Sequence, residues 1–139
     1  MKKAATGYLV TTLAIGITLI EGAVPLFAHH AFAAEYNADK PVLLAGTVTK
    51  VEWVNPHVRF SINVTEGDGK VVSWDLELGS PNFLQREGWT RTSLKVGDQV
   101  VVSGYLAKDG SHLANAHDVR LADGRRVFAG FSPSRVPEP

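Results

Sequence analysis

From residue 42 onward, apolar and polar positions alternate in short runs separated by turn residues, which predicts strands rather than long helices. VLLAGTVTKVEWV (Val42 to Val54) reads as a first strand, with Gly46 as a place to bend. Asn55-Pro56-His57 follows as a turn, since Pro56 has no amide proton for a sheet ladder. VRFSINV then sets Val58, Phe60, Ile62 and Val64 on one face and Arg59, Ser61 and Asn63 on the other. EGDGK is a hairpin loop in which Asp68-Gly69 supplies positive φ at little cost. VVSWDLEL alternates again and points Val72, Trp74, Leu76 and Leu78 inward.

The pattern changes at SPNFLQREG. Ser80 is placed to cap a helix, Pro81 fits its first position, and Gly88 ends it. This predicts one helix of about two turns, with Phe83 and Leu84 as its apolar contacts. LKVGD turns into a fourth strand, QVVVSGYL, and KDGSH turns into a fifth, LANAHDVRL. ADGRRVFAG adds another Asp-Gly turn and a short final strand. Three strands, a helix and two strands is the order of an OB-fold, a five-stranded Greek-key barrel. A β-sandwich or open sheet carrying one helix is the alternative. The fold class expected is therefore all-β with one short helix, as an OB-fold-like barrel spanning residues 42–130. A tail, residues 131–139, holds three prolines and little to bury.

The first residues read as an export signal. Lys2 and Lys3 precede an apolar run of 13 residues, Tyr8 to Ile20, which is shorter than the roughly 20 needed to span a bilayer. Two cuts are available. Ala31 and Ala33 give the better residue pair for cleavage after Ala33, whereas cleavage after Ala28 lies closer to the apolar run. Distance favours Ala28, giving a signal peptide at 1–28, an N-terminal extended segment at 29–41 and a periplasmic or secreted location. With Lys2, Lys3 and Glu21 removed, 12 basic and 13 acidic residues remain. That balance, with export, argues against nucleic acid as a partner and against a membrane-surface role. The chain has no Cys, so a packed core must replace disulfides, and any metal site must use nitrogen and oxygen.

Several segments together resemble a family of small exported bacterial proteins of unknown function. They are His29-His30 followed by Phe32, GTVTKVEWVNPHV with its Trp-x-Asn-Pro-His motif, and WDLELGSPN, joined by GWTRTSLKVGD, GYLAKDGS and LADGRRVFAG. The resemblance covers nearly the whole mature chain. It implies no activity or partner, but it favours a mature chain that begins at His29.

Five histidines, 29, 30, 57, 112 and 117, are the candidates for chemistry. A chain beginning at His29 offers its α-amine and its imidazole Nδ1 to one ion, closing a chelate ring. An α-amine titrates near pH 8, so a metal can displace its proton near neutrality. His30, His57 or His112 could supply further nitrogens. Such a set suits Cu(II) best, with Zn(II) or Ni(II) as alternatives. An OB barrel brings the loop after its first strand toward the loop after its fourth, giving His57 and His112 a common location. The segment from His29 to Pro41 can reach about 40 Å at roughly 3.3 Å per residue, so His29 can reach His57. The bland readings are a solvated terminus for His29-His30, an ordinary turn for His57, an exposed loop for His112 and a sheet residue for His117. Trp53, Trp74 and Trp89 read first as core. Asp75 and Glu77 share the outward face of the third strand and read as solubility.

The function expected is thus an exported metal-binding barrel. The alternative is a metal-free module that uses the barrel face for a peptide, glycan or envelope protein. An oxidative copper enzyme would need an open coordination position and a substrate surface, and neither can be read from the sequence.

Overall fold

The computed structural model describes residues 32–128. The expected signal peptide, His29, His30 and the Pro-rich tail lie outside the described residues. The elements are β1 (Tyr36–Glu52), β2 (Arg59–Thr65), β3 (Val71–Glu77), α1 (Pro81–Arg86), β4 (Gln99–Ala107), β5 (Leu113–Leu121) and β6 (Arg126–Phe128). β1 pairs with β2 and β4, β2 with β3, and β4 with β5, all antiparallel. A parallel pairing of β3 with β5 closes the ring. This closed order, with α1 between β3 and β4, is that of an OB-fold. β6 adds a short antiparallel strand to β5.

The alternation explains the interior. Phe60, Ile62, Leu76 and Val58 are buried where the sequence points them inward, with Val72 and Leu78 beside them. Ser80 caps α1 by accepting a hydrogen bond from the Phe83 amide at 3.2 Å, and Leu84 is fully buried at one end of the barrel. Trp89 is buried as expected, whereas Trp53 and Trp74 are half-buried. The Arg91 guanidinium lies 6.0 Å above the Trp53 ring.

β1 departs from the expected strand in two ways. Its bend falls between Val48 and Lys50 rather than at Gly46. That bulge switches the inward set from Leu44 and Val48 to Val51 and Trp53. Gly46 has another duty: a Cβ there would lie 2.5 Å from the Asn63 carbonyl oxygen, so glycine lets β1 and β2 approach. β1 also starts at Tyr36, within the segment expected to precede the barrel. Asn37, Ala38, Asp39 and Lys40 have no partner in the β1–β4 register, and that irregularity hides the strand from a pattern reading.

Candidate functional site

β2 and β3 form a tight hairpin whose register sets Arg59 opposite Glu77. Glu77 is in turn beside Asn115 of β5, and Asn115 is opposite Tyr105 of β4. Four strands therefore contribute one rung on the outer face of the barrel. Asp75, two residues before Glu77, stays exposed and accepts a hydrogen bond from the Ser61 hydroxyl at 2.7 Å. Glu77 is only 4 % exposed, so reading it with Asp75 as a surface carboxylate was incorrect.

The cover over this rung is the start of the described chain. Residues 32–35 form a helical turn, and Phe32 packs against Tyr36 and Tyr105, with ring centroids 5.6 and 5.7 Å apart. Ala107 and half-buried Leu113 complete this second apolar cluster. The Lys108 amide donates to the Glu35 carbonyl at 2.9 Å, and the Lys108 ammonium donates to the Ala33 carbonyl. The N-terminal segment is thus fastened to the end of β4 by rings and by hydrogen bonds.

Glu77 uses both carboxylate oxygens. Oε2 accepts from the Arg59 guanidinium at 2.6 Å, and Oε1 lies 3.0 Å from Nδ1 of His57. His57 is held here because Val58 accepts from the Leu78 amide at 2.8 Å and donates to the Gly79 carbonyl at 3.1 Å. Those bonds lace the end of the β1–β2 loop to the end of β3. The His57 side chain remains 44 % exposed, so its ring is open to solvent on the side away from Glu77. Burial opposes the Arg59 charge, but the Glu77 carboxylate outweighs it and holds the guanidinium above its ordinary range. Burial, followed by the Glu77 and Glu35 charges, raises the Tyr36 phenol far above its ordinary range. The Tyr36 hydroxyl lies close enough to Glu77 to feel its carboxylate. Among the described residues, the Tyr36 hydroxyl and Asn115 Oδ1 are buried polar atoms without a partner.

The other described histidines go elsewhere. The His112 ring lies tilted against Trp74, with centroids 4.9 Å apart, while its carbonyl accepts from the Asp75 amide at 2.9 Å. Trp74 and Glu77 are three residues apart in an uninterrupted ladder and so belong to opposite faces of β3. His57 and His112, expected to share one end of the barrel, thus have partners on different faces of β3. His117 is the extra residue of a bulge in β5, between positions 116 and 118. Among the described residues, no three His, Asp or Glu side chains stand together as a ready metal cage. A site of three such ligands would have to recruit residues outside that span, such as His29 or His30.

The model of a family of unknown function, DUF6152, matches residues 17–116. The chain belongs to that family. The matched span of this DUF6152 protein includes His29, His30, His57, Glu77 and Asn115. No curated protein matches it. Among solved structures, it is similar to the mitochondrial single-stranded DNA binding protein Rim1 of S. cerevisiae, at 13 % identity and a TM-score of 0.47. That likeness covers 60 % of this chain and 93 % of Rim1. The OB-fold assignment of the DUF6152 protein stands on its own strand order. None of its described helices is long and apolar enough to cross a membrane.

Proposed function

We propose that this protein is an exported OB barrel that binds a divalent transition metal, with Cu(II) preferred over Zn(II) or Ni(II). The ligands would be the α-amine and imidazole of His29 in a chain cut after Ala28, together with His57, and His30 as a further nitrogen. One observation carries the reading: Phe32 and Tyr36 are anchored beside the same outer-face rung whose Glu77 carboxylate meets His57. His30 precedes anchored Phe32 by two residues, roughly 7 Å of chain at full extension. The anchor raises the effective concentration of the histidine pair near His57 relative to a free tail. His112 is left out of this ligand set because its ring is committed to Trp74.

Cu(II) titration of the processed protein tests the reading. Replacing His57 by Ala, or adding one residue ahead of His29, is expected to weaken binding at least tenfold. An affinity that survives both changes would remove the proposed site. Intact mass of the protein recovered from the envelope fraction tests the cut itself, because loss of residues 1–33 would discard both N-terminal histidines.

A further inference from the structure

We propose that Glu77 is a positioning residue that holds the proton of the His57 ring on Nδ1, so that the ring presents Nε2 alone to a metal ion. This deepens the metal-binding reading and rests on it for the ligand role of His57. The geometry argues for it in three steps. A ring nitrogen 3.0 Å from a carboxylate oxygen is favourable only with a proton between them, since two lone pairs would repel. Glu77 is held in place: its second oxygen takes the Arg59 guanidinium, and the residue is buried, with Tyr36 near enough to feel its charge. The imidazole is left with one free lone pair, on Nε2, and with nearly half of its surface open to solvent. Carboxylate support of this kind orients a ligating histidine and raises its basicity.

The arrangement also links the N-terminal segment to the ligand. Glu77 is buried, with Tyr36 of that segment close by, and a carboxylate acts more strongly on a neighbouring ring when water is excluded. The docked segment therefore prepares His57 before any ion arrives.

The test begins without metal. Long-range ¹H–¹⁵N correlation spectra of the protein purified from its native host, recorded at alkaline pH, report which nitrogen of His57 carries the proton. The expected result is the Nδ1–H form in the wild type and a shift toward Nε2–H in Glu77→Gln. Arg59→Met, which removes the other partner of the same carboxylate, is expected to keep Nδ1–H. Cu(II) affinity should fall about 10–100-fold in Glu77→Gln. An Nε2–H ring in the wild type would overturn the proposal, and so would an equal shift in Arg59→Met. The wild-type spectrum decides the matter even where Glu77→Gln does not fold. If the tautomer behaves as stated but His57→Ala binds Cu(II) as tightly as the wild type, the ligand assignment fails while the orienting role of Glu77 stands.

Discussion

The barrel interior and the patch beneath the N-terminal segment are both buried, but they are made of different materials. Inside, Phe60, Ile62, Leu76, Val102 and Val119 pack with no polar side chain among them. Outside, Phe32, Tyr36, Tyr105 and Ala107 cluster beside buried Glu77 and Asn115. An apolar interior is satisfied by shape alone, whereas a covered polar rung must pair its groups or leave them costly. The interior therefore specifies the fold, and the covered rung is where charges and directed lone pairs are held in place. If the comparison is right, damage inside should unfold the whole barrel, and damage outside should detach the segment while the barrel survives.

The largest effect should come from the interior. Leu76→Ala removes a fully buried side chain near the end of β3 and is expected to cost about 2–5 kcal/mol of global stability. Denaturant midpoints with an unchanged slope would confirm a loss confined to the folded barrel. Phe32→Ala should behave differently. It forfeits roughly 1.5–3 kcal/mol of burial, but the loss should appear as local opening. The Lys108 amide, bonded to the Glu35 carbonyl, should exchange faster with solvent while the barrel midpoint holds nearly steady. A midpoint that falls as far as that of Leu76→Ala would make the two regions one cooperative unit and end the distinction.

The same contrast explains what could be read from the chain. The interior was legible because alternation at Val58–Val64 and Val71–Leu78 is local, and so was α1, whose Ser80-Pro81 start and Gly88 stop lie within nine residues. Even the facing of Arg59 and Glu77 was available, since a hairpin turning between Thr65 and Val71 fixes their register. The burial of Glu77 was not, because the residues around it include Tyr36, more than 40 residues earlier. Asn37 to Lys40 disguise the start of β1, so Tyr36 reads as part of a linker. Likewise, the convergence of two loops says which end of a barrel they share, and only the strand faces show that His57 and His112 take partners on opposite sides of β3.

A smaller effect is expected at His112, the loop histidine that serves packing. His112→Ala removes the ring covering Trp74 and should cost about 0.5–1.5 kcal/mol, with a change in tryptophan fluorescence. His112→Phe, which keeps an aromatic ring over Trp74, should restore most of the stability. Cu(II) affinity should be untouched by either change. A loss of affinity in His112→Phe with stability intact would return His112 to the ligand set.

The finest probe of the comparison is Tyr36, where an aromatic ring serves the cover and its hydroxyl stands unpaired near a carboxylate. Tyr36→Phe keeps the ring and deletes the unpaired group, so stability at neutral pH should be unchanged or rise by about 1 kcal/mol. The pH dependence gives the stricter test. In the folded protein the phenol stays protonated well above its ordinary value, whereas the unfolded chain releases that proton above about pH 10. Above that pH the unfolded state binds fewer protons, so stability falls as pH rises. The stabilisation is complete below the ordinary tyrosine pKa and drains away on the alkaline side. Buried Tyr105, whose phenol is also raised by burial, adds a loss of the same sign. Tyr36→Phe should therefore flatten the alkaline decline without abolishing it. An unaltered decline would mean that the Tyr36 hydroxyl meets water, and that the rung is not sealed by the segment above it.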